Sequence, residues 1–268
     1  MIVFLLIPAG LCLLYLLAVM GRRNHPGLSR LRGWNYAHRG LHDDTRPENS
    51  MAAFRAALEN GYGMELDVHL LSDGNLAVMH DSALKRTTGA EGTIENLVTG
   101  QLTDYRLGGT DETIPQFREV LELVNGKVPL IIELKATGGN YAALTEAVCK
   151  MLETYPGDYC LESFDPLCIF WLRRHRPDII RGQLTEDYFQ SNAPMPGILK
   201  WVLKNQVLNF LTLPDFVAYR FEHRQTVSNT LVRKVWGVQG VAWTLRSKSD
   251  YDTAVQEGWI PIFENFRP

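Results

Sequence analysis

Short apolar runs alternate along this chain with stretches whose apolar positions recur at helical spacing, and that alternation predicts the elements. Strands are expected at Asn35–His38, Gly63–Leu70, Pro129–Leu134, Tyr159–Ser163, Ile180–Leu184, Phe216–Tyr219, Val241–Leu245 and Pro261–Phe263. After the first of them, Met51, Phe54, Ala57 and Leu58 repeat with the period of a helix that begins near Asn49 and stops at Asn60-Gly61. Helices are expected in most of the other gaps. Continuous apolar strands alternating with helices are the pattern of a parallel α/β sheet, and eight such repeats close into a TIM (β/α)8 barrel with its site at the strand C-termini. Residues 73–113 break the alternation. They hold a strand at Leu76–His80, Gly- and Thr-rich turns and the isolated apolar positions Ile94, Leu97 and Leu102, and read as a small insertion after the second strand. Ile114-Pro115 is then expected to start the next helix.

The N-terminus has a different pattern. Met1–Met20 carries no charge, includes the apolar run Leu11–Val19, and as a helix would be about 30 Å long, enough for a transmembrane anchor over residues 1–21. A cleaved signal peptide has its positive charge before the apolar core, whereas here Arg22, Arg23, Arg30 and Arg32 follow it. The positive-inside rule then places the N-terminus outside and the remaining chain on the cytoplasmic face. Residues 22–33 read as a basic linker and 34–268 as one catalytic domain. The run Gly197–Leu211, with Lys200, Trp201 and Lys204, fits either an interfacial helix at a membrane surface or a packed barrel helix.

Composition narrows the function class. At 268 residues, 46% hydrophobic and 21% charged, the chain suffices for one barrel and leaves little for a second domain. A net charge of -3 with no basic tract argues against nucleic-acid binding. Cys12, Cys149, Cys160 and Cys168 have neither metal-ligand nor disulfide-framework spacing and are expected to be reduced, structural thiols.

Charge is concentrated where strands should end. Side-chain alternation puts Glu65 and Asp67 on one face of a strand, and Glu133 and Lys135 on one face of another. Inward carboxylates repel one another and lose hydration unless a hard cation accepts their oxygens, so Glu65, Asp67 and Glu133 are the candidate metal ligands; a solvated edge strand is the alternative for the first two. His38 and His80 are placed to act as a general acid/base pair, against the alternative of hydrogen-bonded core histidines. Arg39 and Lys135 suit phosphate oxygens, unless they form ordinary surface ion pairs. Together these groups point to metal-assisted phosphate chemistry.

The succession His38-Arg39-Gly40, Pro47-Glu48-Asn49-Ser50, Glu65-Leu66-Asp67-Val68, Ser72-Asp73-Gly74, His80-Asp81, Thr88-Gly89 with Gly92, Ile114-Pro115 and Glu133-Leu134-Lys135 resembles the glycerophosphodiester phosphodiesterase family over residues 35–268. The resemblance implies a TIM barrel that hydrolyses glycerophosphodiesters to glycerol 3-phosphate and an alcohol with a divalent ion, Mg²⁺ or Ca²⁺. It assigns His38 and His80 as the acid/base pair, Glu65, Asp67 and Glu133 as metal ligands, and Arg39 and Lys135 as phosphate contacts. Glu48 would support or extend the metal site. Ser163-Phe164-Asp165 is similar to the family's corner motif, and Trp243-Thr244 to its aromatic wall beside the substrate, although Trp243 could equally be barrel packing. His69 shares the face of Glu65 and Asp67 but matches no family position. Phe263-Glu264-Asn265-Phe266 stands where many relatives carry Thr-Asp before a proline, so Glu264 is either a site carboxylate or a barrel cap.

The expected division of labour makes His38 the base and His80 the acid, with water or the substrate's glycerol hydroxyl as nucleophile. The expected partners are a glycerophosphodiester or lysophospholipid, and a membrane through the N-terminal helix. A membrane-anchored lysophospholipase D is the alternative with the same chemistry. A non-catalytic lipid-binding barrel is the alternative without it, and has no need of two histidines.

Overall fold

The computed structural model describes residues 2–191 and 194–268; Met1, the first residue of the expected anchor, lies outside them. Among the described residues are nine strands: β1 Tyr36–Ala37, β2 Gly63–Leu70, β3 Leu76–Val78, β4 Leu130–Leu134, β5 Tyr159–Ser163, β6 Arg181–Thr185, β7 Phe216–Arg220, β8 Gln239–Leu245 and β9 Ile260–Phe263. The helices are α1 Ile2–Ala18, α2 Leu28–Leu31, α3 Met51–Glu59, α4 Lys85–Thr88, α5 Phe117–Val124, α6 Tyr141–Leu152, α7 Pro166–His175, α8 Gly197–Lys204, α9 Asn209–Thr212, α10 Val227–Thr230 and α11 Lys248–Gln256. β1 pairs in parallel with both β2 and β9, which closes eight parallel strands into the expected barrel.

Strand alternation sorts the interior into layers. Leu130, Ile132 and Leu134 of β4 pack outward against the helices, while Ile131 and Glu133 face inward. Ile131, Cys160, Phe216, Val241, Ile260 and Ile262 fill the lower interior, and Leu28 and Leu31 of α2 join this cluster. Residues 22–33 therefore pack against the barrel: the Arg22 amide donates to the Pro214 carbonyl at 2.9 Å and its guanidinium pairs with Asp215. The carboxylates form the layer above. Gly182 has a specific job in the apolar layer, since a Cβ there would lie 2.1 Å from the Phe216 ring. Gly182→Ala is accordingly expected to destabilise the fold by about 1–3 kcal/mol, read as a lower urea midpoint at unchanged slope.

Helix α3 starts where the Ser50 hydroxyl accepts from the Ala53 amide at 3.1 Å, and stops at Asn60-Gly61, with Gly61 at φ +69°. The insertion has its own apolar cluster of Leu71, Ala77, Met79, Leu84, Ile94, Leu97, Leu102, Leu107 and Ile114. Its strand β3 ends at Val78, runs antiparallel to β2 and lies outside the barrel, leaving His80 in a loop. Ile114-Pro115 does not open a helix; Gln116 is still extended and α5 begins at Phe117. All four cysteines are free, Cys12 exposed and the others buried.

The transmembrane anchor expected over residues 1–21 is not found. Helix α1 has 17 residues, about 25 Å of helix against a hydrocarbon core of about 30 Å, and among the described residues no helix is long and apolar enough to cross a membrane. It is cut short because the chain turns onto the barrel at Val19, which is fully buried.

Candidate active site

The pocket lies at the C-terminal ends of the strands, has a volume of about 150 Å³, and collects His38, Arg39, Glu65, His80, Glu133 and Trp243 at its walls. Asp67 sits beneath them. Parallel pairing sets Asp67 level with Glu133, and Glu133 level with Glu162 on the next strand, so three neighbouring strands each present an inward carboxylate. Oxygens of Glu65, Asp67 and Glu133 lie within 4.8 Å of one another, and all three residues are buried. Glu65 and Asp67 are therefore interior groups and no part of a solvated edge strand.

Burial, reinforced by the like charges of Asp67 and Glu133, drives the Glu65 carboxyl well above the usual carboxylate range. Burial also raises Glu133, against the pull of Lys135. Asp67 goes the other way: although burial opposes it, Lys135, Arg39 and the amide of Asn49 hold it ionised. The Lys135 ammonium is wedged into this hollow, 2.8 Å from Glu133 and 3.1 Å from Asp67. An all-oxygen, anionic hollow that already draws in an ammonium fits a hard divalent ion. Glu162, buried beside it and raised by burial and by Glu133 and Asp67, has an oxygen with no hydrogen-bond partner.

Arg39 is bent to reach the same place. At φ +54° its amide turns toward Glu65 and donates to Oε2 at 3.0 Å, while its guanidinium is 2.9 Å from Glu48 and 3.5 Å from Asp67. Glu48 does not join the carboxylate triad. Arg39 and Arg86 hold it from two sides, at 2.9 and 2.7 Å, and Arg86 also pairs with Asp81. Asn49, at φ +54°, ties Asp67 down through a 2.8 Å side-chain hydrogen bond.

Each histidine is oriented by a carboxylate. His38 Nδ1 donates to Glu264 Oε1 at 3.1 Å, an atom that also accepts from His42, while Arg246 bonds the other oxygen at 2.6 Å. Those partners keep Glu264 ionised despite burial. A proton fixed on Nδ1 leaves the His38 Nε2 lone pair free, 3.8 Å from Glu65. Burial lowers the His38 pKa, and the nearby Arg39 adds to the effect. His80 Nδ1 donates to Asp81 at 2.5 Å, and burial with Lys135 and Arg39 brings its pKa down to about 4. Both imidazoles are thus neutral and aimed by their carboxylates at neutral pH. His69 belongs to the scaffold: fully interior, it pairs with Glu95 at 2.7 Å and reaches the His80 carbonyl at 3.3 Å. Trp243 lines the pocket and stands edge-to-face with Phe164, ring centroids 5.5 Å apart.

The residues expected at the site from sequence are brought to one place, and Glu48, expected to support or extend the metal site, lies on Arg39 and Arg86. Sequence reasoning missed Glu162, Arg86, Arg246 and His42, and left Glu264 undecided. Strand alternation alone would have found Glu162, which precedes Ser163-Phe164-Asp165 and stands level with Glu133.

Comparison with known proteins agrees with this geometry. The family model described as "Glycerophosphoryl diester phosphodiesterase family" matches residues 38–266. Glycerophosphodiester phosphodiesterase 1 of Homo sapiens is 30% identical over 263 residues, covering 84% of this chain and 76% of its own. A glycerophosphodiester phosphodiesterase of Bacillus altitudinis is 41% identical over a shorter 129 residues, 45% of this chain and 52% of its own. Among solved structures, an Oleispira antarctica phosphodiesterase in complex with the product sn-glycerol-3-phosphate superposes with a TM-score of 0.72 at 22% identity, covering 90% of this chain and 95% of its own. With the match running from His38 to just past β9, the chain belongs to the glycerophosphoryl diester phosphodiesterase family.

Proposed function

We propose that this protein hydrolyses glycerophosphodiesters to glycerol 3-phosphate and an alcohol with the help of a divalent ion, Mg²⁺ or Ca²⁺. The observation that carries the reading is the convergence of two carboxylate-oriented imidazoles and a buried carboxylate triad on one small pocket. Glu65, Asp67 and Glu133 would hold the ion, which when bound offsets negative charge on the phosphoryl oxygens. The residues of the chain do the rest. Arg39 and Lys135 face the phosphate position with fixed positive charge, and the Arg39 fork suits two oxygens at once. His38, its Nδ1 proton held by Glu264, takes the proton of the attacking oxygen on Nε2. The negative diester opposes the downward shift that keeps His80 neutral in the free site, so that the ring takes a second proton on Nε2 and delivers it to the departing alcohol while Asp81 keeps the Nδ1 proton. Trp243 and Phe164 shield one side of the pocket from water.

The test is hydrolysis by the full, metal-stripped chain of glycerophosphocholine, glycerophosphoethanolamine and glycerophosphoglycerol with Mg²⁺, Ca²⁺ or chelator. Ion-dependent release of glycerol 3-phosphate supports the proposal; no release from any diester overturns it. Lysophosphatidylcholine micelles belong in the same assay, because turnover exceeding that of glycerophosphocholine would make the protein a lysophospholipase D. Ion binding should also depend on pH. Glu65 and Glu133 are raised in the free site, so below their titration a proton competes with the ion, and affinity is expected to strengthen as pH rises through it. Calorimetry in buffers of different ionisation enthalpy should show protons released on binding; a pH-independent affinity would remove the carboxylates from the ligand set.

A further inference from the structure

Helix α1 is apolar on every side, and its middle stretch from Ile7 to Leu14 is open to water. From Ile7 to Leu14 every residue is exposed, with Ile7, Leu11, Leu13 and Leu14 at 61, 62, 56 and 64%. After Leu14 the helix meets the barrel through Tyr15, whose hydroxyl lies 3.5 Å from Asn205, and Leu16, whose carbonyl accepts from the Trp236 indole at 2.9 Å. The stretch Ile7–Leu14 therefore stands clear of the barrel. Beside its base, α8 and α9 expose further apolar side chains: Ile198 at 73%, Trp201 at 48% and Phe210 at 45%. Isolated exposed apolar residues are ordinary, but a projecting helix with no polar face joined to an apolar shoulder is not stable against water.

The geometry points to a lipid bilayer as the occupant, with α1 entering one leaflet and α8 and α9 resting on the headgroups. Two observations select lipid over a second copy of the chain. A partner copy covers one side of a helix, whereas this helix is apolar all round. No Asp or Glu occurs in α1, α8 or α9, and Lys200 stands next to Trp201 at the shoulder, which is the pairing of a cation and an amphipathic ring suited to phosphate headgroups. Among the described residues no helix is long and apolar enough to cross a membrane, so the proposed docking is to one leaflet. Phe189 and Val227, 55 and 70% exposed, follow β6 and β7 near the barrel end that carries Arg220 and Glu222 of the pocket. The docked protein would hold its pocket close to the lipid surface. The inference is independent of the hydrolytic reading, since it concerns a different surface.

The full chain, purified in mild detergent, is freed of detergent with or without vesicles of phosphatidylcholine alone or mixed with phosphatidylglycerol, then floated on a density gradient. The wild type is expected to float with both, more completely with the anionic mixture. The double variant Leu11→Glu/Leu14→Glu is expected to lose at least about tenfold in bound fraction, consistent with the cost of charge in an apolar environment. Trp201→Glu is expected to weaken flotation, and hydrolysis of soluble glycerophosphocholine should be unchanged in either variant. Cys12 gives a second readout, being the one exposed cysteine of the four: vesicles should shield it from a membrane-impermeant maleimide. Wild type that stays at the bottom of the gradient, a double variant that floats normally, or a vesicle-independent dimer dissolved by the same substitutions would each overturn the proposal.

Discussion

Replacing His38 by alanine is expected to lower kcat on glycerophosphocholine by about 10²–10⁴-fold, the ordinary loss when a positioned proton acceptor is removed, with KM little changed. The reason lies in its surroundings. Glu264 fixes the Nδ1 proton and leaves Nε2 unprotonated in a buried position, so no neighbouring group substitutes for it. His80→Ala should cost a similar factor on glycerophosphocholine but much less on a diester with a nitrophenol leaving group, whose departure needs little proton assistance. His38→Ala should be as damaging on both. Steady-state kinetics of the two variants on the two substrates check this, and equal sensitivity to the leaving group would reverse or abolish the assignment of base and acid.

The carboxylate triad should respond to substitution in two opposite ways. Glu65→Gln and Glu133→Gln are each expected to reduce ion-dependent activity at least about 10³-fold, since several kcal/mol of charge compensation in the transition state depends on the bound ion. The same changes should stabilise the ion-free protein. Glu65 is raised in the folded state, so its contribution to stability is present below the unfolded pKa and is lost as pH climbs through the folded one. At neutral pH, glutamine removes that penalty. Melting of the ion-free variant should therefore rise by about 2–4 °C for each kcal/mol relieved, while the extra rise that added ion gives the wild type should disappear. A Glu65→Gln protein that melts lower and still gains stability from the ion would exclude this site.

Legibility in the sequence follows how local the determining physics is. The eight strands and helix α3 were readable because period and punctuation are properties of neighbouring residues: the Ser50 cap and the Asn60-Gly61 stop are visible as letters. The triad was readable because alternation fixes which way Glu65, Asp67 and Glu133 face. Glu264 was not, because its partners His38, His42 and Arg246 come from opposite ends of the chain and meet only when β9 closes against β1. Arg86 is similar, reaching from the insertion to Glu48 across the pocket rim. Helix α1 reads as longer in the sequence for the complementary reason. Hydropathy continues through Val19, but Val19 is consumed by the barrel, and composition does not distinguish an apolar residue bound for lipid from one bound for a protein core.

The separate apolar cluster of the insertion has a consequence for how this protein fails. His80 and Asp81 are carried by a segment that coheres around its own nine buried side chains and meets the barrel mainly along β2 and through side-chain pairs such as His69–Glu95 and Arg86–Glu48. Such a unit can open while the parallel sheet stays closed. Inactivation and unfolding are then expected as distinct events, and mild denaturing conditions would leave an intact barrel that has let go of His80 while His38 stays in place.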